Sequence, residues 1–391
     1  MNDALSRTAI DPAHEAQLLE AIDRWVAREL KPIVQEYDHA DRYPTHVVEQ
    51  MKELGLFGAT VGSEYGGLGL PAVTYAKIVM SISAVWMSIT GIINSHLMLA
   101  LAIEKFGTPE QKARWLPRIA SGEIRAGLAL TEPDAGTDLQ AIRVTARREG
   151  DHYVLNGTKT WITNGVEGSC FAVLVKTDPA AQPRHKGMSL FIAPKIQGFT
   201  AGRKLQKLGY KSIDTGELVF EDYRVPADHL IGGVEGQGFY QVSGGLELGR
   251  INVAARGVGI AEGALALATA YAQTRKTFGK PICEHQAIQL KLGEMATRAR
   301  AARLLTLDAA AAFDRAERCD MEAGMAKYFS SEAALENSIE SMRIHGAYGY
   351  SKEFDIERLY RDAPLTCIGE GTNEMQRIII SKQWVKRNPV A

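Results

Sequence analysis

Hydrophobic residues recur every three or four positions through the first third of the chain. Leu18, Leu19, Ile22, Val26 and Leu30 form one such stripe within 13–35, the spacing of a helix with one buried face. The same period runs through 47–56 and 75–106, and Thr108-Pro109-Glu110 places a proline in the first turn of a further helix. Near Gly127 the period changes, and from there to Pro226 the chain reads as strands. Tyr153, Leu155, Lys159, Trp161 and Thr163 lie around Asn156-Gly157, a pair that predicts a hairpin turn. Further β-like runs cover 170–176, 188–194 and 217–225. From Gly236 the helical period returns over 239–275, 284–315, 321–344 and 372–386. The 239–275 run carries Gly244, Gly245, Gly249, Gly257, Gly259 and Gly263. Glycine weakens a helix, so this number predicts close packing of backbone against another helix or a ligand. The order α, β, α predicts an α+β chain in three units, 1–126, 127–235 and 236–391.

Composition narrows the function classes. A chain of 391 residues with 46% hydrophobic and 23% charged residues is an ordinary globular protein with room for several cores. A formal net charge of −1 gives no electrostatic reason to expect nucleic acid or an anionic membrane as partner. Cys170, Cys283, Cys319 and Cys367 form no CxxC pair, which argues against a disulfide framework or a metal site and fits a reducing compartment. Residues 1–7 hold early acids and no apolar run, so the expectation is no secretory or mitochondrial signal and a cytoplasmic location. The most apolar stretch, 92–103, includes Asn94 and His96 and is too short to span a bilayer. No GxGxxG opens a strand–helix–strand unit, which disfavours a nicotinamide-type fold.

Five segments carry candidate chemistry, and each has a plain structural reading beside the functional one. Glu370 lies in Gly369-Glu370-Gly371-Thr372-Asn373-Glu374. Unobstructed by neighbouring side chains, it is either a reactive carboxylate or an acid capping a helix start. The run Leu128-Ala129-Leu130-Thr131-Glu132, continuing to Thr137, offers hydroxyls and backbone N–H groups to a heteroaromatic edge, or is an interdomain turn. Trp161 and Thr163 alternate onto one strand face, where an aromatic plane beside a hydroxyl suits a flat cofactor, or simply a β core. Arg275-Lys276-Thr277-Phe278-Gly279-Lys280, followed by Gln286, is a cationic turn able to hold a pyrophosphate, or a basic helix end. Arg343-Ile344-His345-Gly346 allows close backbone approach to a phosphate, or stops a helix.

Taken together, in this order and spacing, these segments resemble the acyl-CoA dehydrogenase family, most closely its short- and medium-chain members, from about Ile22 to Lys386. The resemblance implies a helical N-terminal domain, a central β domain and a C-terminal four-helix bundle, assembled as a homotetramer. It implies FAD as cofactor, an acyl-CoA as substrate and an electron-transferring flavoprotein as electron acceptor. Residue by residue, it implies that Leu128, Leu130 and Thr131 line the flavin, with Trp161 and Thr163 on its other side. Thr137 would hold the pyrophosphate or the pantetheine arm. Arg275, Thr277, Phe278, Gln286 and Gly346 would reach the FAD of a neighbouring subunit, and Thr372 and Glu374 would touch the dinucleotide. Glu247 would accept from pantetheine, with Arg250 beside it. Glu370, between Gly369 and Gly371 in the substrate site, would be the base. Some relatives place the base instead on the helix carrying Glu247-Leu248-Gly249-Arg250, and Gly249 stands at that position here.

The sequence departs from the family pattern in two places. Gly369 replaces a Tyr, which opens volume for a branched or cyclic acyl group. Arg343 replaces a Gln near the pyrophosphate and can still bind phosphate. The stretch Trp86 to Ile92 also lacks the arginine with which glutaryl-type relatives hold a distal carboxylate, which disfavours a dicarboxylic acyl group. The competing readings are the same chemistry on a carrier-protein thioester, enoyl-CoA reduction, and a flavoprotein that has lost dehydrogenation.

Overall fold

The computed structural model describes residues 10–390, apart from the side chains at positions 245 and 246. The expectation drawn from residues 1–7 lies outside the described residues. Helices α1 (Pro12–Trp25), α2 (Val34–Ala40), α3 (Thr45–Glu53), α4 (Ala72–Phe106) and α5 (Pro109–Ala120) come first. The Asp11 carboxylate caps α1 by accepting from the N–H groups of Ala13 and His14. Thr108 and Gln111 close a reciprocal capping box at α5, with Pro109 in the first turn as its spacing predicts.

Helix α4 is longer than the 92–103 stretch suggests. Its 35 residues break at Trp86, where φ −146° and ψ 82° leave the helical region. α4 and a second helix, α6 (Gly238–Thr274), are long and apolar enough to cross a bilayer. Other elements bury 78% and 67% of their most apolar windows, which is how the core helices of a folded unit present themselves.

The sheet comprises β1 (Ala126–Ala129), β2 (Thr145–Glu149), β3 (His152–Thr163), β4 (Cys170–Lys176), β5 (Met188–Pro194), β6 (Phe199–Lys204) and β7 (Thr215–Pro226). Its strand order is β1-β4-β2-β3-β7-β6, with β5 paired to the other edge of β4. Pairing is antiparallel except where β1 and β2 run parallel to β4. The expected hairpin at Asn156-Gly157 is not a turn. β3 runs straight through it, and the tight turn is Gly150-Asp151, closed by the Glu149–His152 pair. The register against β7 slips between Leu155 and Gly157. Asn156 makes two side-chain hydrogen bonds with Asp222, and Gly157 adopts φ 128°. The same residue types that close a hairpin here build a bulge.

After the sheet come α6, the short strands β8 (Lys276–Thr277) and β9 (Lys280–Pro281), then α7 (Gln286–Asp314), α8 (Asp320–His345), α9 (Ile356–Ile368) and α10 (Asn373–Arg387). α6 is the hub of this region and packs on α7, α8 and α4. Its glycines serve that packing: a Cβ at Gly259 would stand 2.6 Å from the Met80 carbonyl oxygen on α4. One core joins α4, α6 and α8 to the inner faces of β1, β4 and β5, and a second fills the sheet region.

Candidate active site

α9 ends at Ile368. The chain passes through an extended Gly369, then takes left-handed conformations at Glu370 (φ 56°) and Gly371 (φ 84°) before α10 begins. A glutamate with positive φ is strained and needs the surroundings to hold it. Three side chains do so. Gln376 donates from α10 to the carbonyls of Glu370 (3.3 Å) and Gly371 (3.1 Å). Lys327, fully buried on α8, donates to the Cys367 carbonyl (3.0 Å) and Asn373 Oδ1 (2.8 Å). Thr372 caps α10 by accepting from Met375 N–H. Since Thr372 is the cap, the Glu370 carboxylate is not needed for that role.

The Glu370 carboxylate lies in the seam between α4 and α6. Asn94 Nδ2 donates to Oε1 at 3.3 Å. On the α6 side, a Cβ at Gly249 would meet Oε2 at 3.0 Å. Burial pushes the carboxyl pKa up; the charges of Arg256 and Arg250, the Asn94 hydrogen bond and Lys327 pull it back only in part. A carboxylate kept less acidic than usual in a half-buried seam is a competent proton acceptor near neutral pH.

Glu247 and Arg250 flank Gly249 on α6. Burial raises the Glu247 pKa, and Arg250 Nε is buried with no hydrogen-bond partner among the described residues. An orphaned guanidinium donor whose charge acts on the Glu370 carboxylate is what a ligand's polar arm would complete. Gly369 adopts ordinary extended angles, and a Cβ there would approach no atom closer than the Leu365 carbonyl oxygen at 3.4 Å. Its backbone does not require glycine, so the missing side chain is simply open volume.

The strand-borne residues gather on one side of the sheet. Leu128 is on β1, with Leu130 and Thr131 just beyond it, and Thr160 N–H donates to the Thr131 carbonyl at 2.9 Å. The loop after Thr131 is pinned by a buried ion pair: Lys159 Nζ donates to Glu132 Oε1 and to the Leu130 carbonyl, each at 2.8 Å. Glu132 also accepts from the N–H groups of Arg143 and Val144. Thr137 is exposed farther along this loop. β3 is irregular between Lys159 and Ile162 and Trp161 has φ 61°, yet Trp161 and Thr163 keep to the less buried side while Ile162 between them packs into the sheet core. That kink turns the indole outward, 58% exposed, beside the Thr131 loop. A wide aromatic face held out by a strained backbone, next to two threonines, fits the edge and face of a flavin ring.

A second group sits at the far end of α6. Arg275, Thr277 and Phe278 form the β8–β9 hairpin, whose tip residues Phe278 and Gly279 have φ 50° and 82°. Thr277 Oγ1 lies 3.0 Å from His285 Nε2, and Gln286 opens α7. The end of α8 comes alongside, with Tyr271 stacked on His345 at 4.3 Å, and Gly346 (φ 63°) ends that helix. Arg343 is 64% exposed and paired with Glu340. Phe278 is 96% exposed. From Gly249 to Arg275 the helix rises about 39 Å at 1.5 Å per residue. One chain therefore does not bring its two sets of expected cofactor residues together. Thr372 spends its hydroxyl on the cap, and Glu374 pairs with Arg377 at 3.1 Å.

Sequence reasoning assigns nothing to Asn94, Arg256, Lys327 or Gln376. Asn94 had a signal, an amide inside an apolar run that must find a partner when buried. Arg256 had a similar one, a cation in a glycine- and alanine-rich helix. Lys327 and Gln376 act on backbone carbonyls that only the fold brings near.

Comparisons with known proteins agree with this geometry. Residues 12–123, 127–223 and 236–385 match the family models for the N-terminal, middle and C-terminal domains of acyl-CoA dehydrogenase. The chain is 41% identical to the mitochondrial short-chain specific acyl-CoA dehydrogenase of Bos taurus over 96% of this chain and 91% of that one. It is 38% identical to an acryloyl-CoA reductase (NADH) of Anaerotignum propionicum, covering 98% of each. Among solved structures, butyryl-CoA dehydrogenase from Megasphaera elsdenii superposes with a TM-score of 0.92 at 34% identity, covering 97% of this chain and 99% of that one.

Proposed function

The chain belongs to the acyl-CoA dehydrogenase family of FAD-dependent oxidoreductases acting on CH–CH bonds, and on that premise we propose that it converts a short- to medium-chain acyl-CoA, branched or cyclic near the reacting carbons, to the trans-2-enoyl-CoA. The observation that carries this reading is the Glu370 carboxylate, half-buried and held against the bare backbone of Gly249 by Asn94. Glu370 takes the α-proton. Its own N–H donates to the thioester carbonyl, so the charge that builds on that oxygen is stabilised as the proton leaves. Arg250 and Glu247 receive the polar arm of the thioester, and the space beside Gly369 takes the branch.

FAD, when bound, supplies the hydride acceptor for the β-carbon. Leu128, Leu130, Thr131, Trp161 and Thr163 would hold its ring, with Thr137, Thr372 and Glu374 along the rest of the molecule. The exposed hairpin of Arg275, Thr277 and Phe278, with Gln286, Arg343 and Gly346, would serve the FAD of a neighbouring copy. An apolar groove lined by Leu305, Tyr328, Phe329 and Trp384 supports such an assembly, in this reading a homotetramer. Reduced cofactor would be re-oxidised by an electron-transferring flavoprotein. The relative named for acryloyl-CoA reduction supports a second reading, the same site run toward the saturated acyl group.

The test is anaerobic titration of the holoenzyme with a panel of acyl-CoAs, following the visible flavin band. Bleaching by short or branched acyl groups, slowed by at least a hundredfold in Glu370→Gln, is expected. A wild-type flavin that no acyl-CoA bleaches but that enoyl-CoA re-oxidises would favour the reductive direction. Equal bleaching in Glu370→Gln would remove Glu370 from the chemistry.

A further inference from the structure

One buried cation near Glu370 bears on the base only through its charge and is given no contact with the substrate in the reaction as described. Arg256 on α6 is 5% exposed. Its Nε donates to Asn252 Oδ1 at 2.7 Å, and its Nη1 donates to the Tyr210 hydroxyl at 3.3 Å. Asn252 is in turn fixed by donating to the Tyr75 hydroxyl at 2.8 Å. Among the described residues Arg256 has no carboxylate ion-pair partner, although its charge is felt at Glu370. A guanidinium withdrawn from water without a counter-ion is costly, and anions are what such a group binds best.

Its position follows from helix geometry. Gly249 and Arg256 are seven residues apart, so they share one face of α6. Side chains on a helix lean toward its N-terminus, which carries the guanidinium back past Asn252 toward Gly249. On α4, Asn94 and Gly91 are neighbours one turn apart. Asn94 and Gly249 frame the Glu370 carboxylate; Gly91, Tyr210 and Arg256 frame the next turn inward. Tyr210 is set there deliberately. It has φ 54°, its N–H donates to buried Asp362 Oδ1 at 2.6 Å, and its hydroxyl lies so close to Gly91 that a Cβ on Gly91 would collide with it.

We propose that Arg256 and the Tyr210 hydroxyl form the anion-binding inner end of the acyl site, so that the short acyl group, with or without a branch beside Gly369, is preferred when it ends in a second carboxylate. The absence of a cation in the Trp86 to Ile92 stretch argues against such an acyl group only if the cation must come from α4, and here it comes from α6. One helical turn is about 5.4 Å, the reach of a distal carboxylate one or two carbons beyond the reacting pair plus a hydrogen bond. The proposal rests on the reading of Glu370 as the base of an acyl-CoA dehydrogenase.

The experiment compares length-matched pairs on the holoenzyme: succinyl-CoA against butanoyl-CoA, and glutaryl-CoA against pentanoyl-CoA, by the rate of anaerobic flavin reduction. In at least one pair the dicarboxylic thioester is expected to have a kcat/KM at least tenfold above its monocarboxylic partner. Arg256→Gln should lower that ratio at least tenfold, and Tyr210→Phe several-fold. A wild-type preference for the monocarboxylic member of both pairs overturns the proposal without any variant, as does a ratio unmoved by both substitutions; Arg256 is then a tie between α6 and the Tyr210 loop. A flavin that none of the four reduces overturns the dehydrogenase reading itself, and the proposal with it.

Discussion

The Cβ that Gly249 lacks would stand 3.0 Å from Oε2 of Glu370 and 3.5 Å from the sulfur of Met98. The glycine is mid-helix, where alanine is favoured by about 1 kcal/mol. Gly249→Ala should therefore leave the melting temperature unchanged or raised while crowding the carboxylate off its position. A drop in flavin-reduction rate of roughly tenfold is expected, since misplacements of well under an ångström matter at a reacting centre. A stable variant with wild-type rate would mean that the carboxylate does not work from this position.

Burial holds the Glu370 carboxyl above the ordinary glutamate value of 4.5, against the pull of Arg256, Arg250, Asn94 and Lys327. The base must be ionised, so activity should fall as pH drops through that raised value. Lys327→Met removes a positive charge that favours the carboxylate, so the acidic limb of the rate profile should move to higher pH. An acidic limb left where it is in the pH profile of flavin reduction would show that Lys327 acts only by anchoring the loop.

Lys159 and Glu132 are both buried and 2.8 Å apart. Lys159→Met leaves the Glu132 carboxylate without its cation, and removing one partner of a buried pair costs about 3–5 kcal/mol. Lys159→Met combined with Glu132→Gln should recover much of that loss. Chemical denaturation of both variants checks this, and equal stability of single and double variants would show that the pair is not coupled.

His96 is fully buried. Its Nε2 lies 3.1 Å from the Phe57 carbonyl oxygen and 3.0 Å from that of Ile119, and Nδ1 accepts from Ala126 N–H. Burial lowers its pKa from 6.5 to about 4. The unfolded chain takes up a proton below pH 6.5 while the folded one does not until about pH 4, so stability should fall as pH drops through that window. The share due to this ring is about 3 kcal/mol. Denaturation from pH 7 to pH 4 should show it, and His96→Gln should flatten the slope.

Much of this was legible along the chain, for identifiable reasons. Regular helices announce themselves by period, so α7, α8 and α10 lie within a residue or two of where the spacing puts them, and α5 begins at the proline that marks its first turn. Asn156-Gly157 misled because a bulge and a hairpin use the same residues, and only the partner strand decides between them. The φ of 61° at Trp161 was not legible, because it is fixed by neighbours the local sequence does not name. Glu370 was visible from its glycine flanks. Gln376, Lys327 and Asn94, which hold this segment in place, act across 6, 40 and 276 positions of sequence, and no local pattern encodes such pairings.

The two apolar helices at the centre of the fold also bear on how the chain is made. α4 finishes at Phe106, and α6, which covers it, does not begin until Gly238. At a ribosomal rate of about 5–20 residues per second, roughly 130 intervening residues leave α4 without its main partner for about 7–26 s. A 35-residue helix that would suit a bilayer is thus on offer to chaperones, targeting factors or other nascent chains for that interval. The yield of native protein in a cell should depend on what shields α4 before α6 emerges.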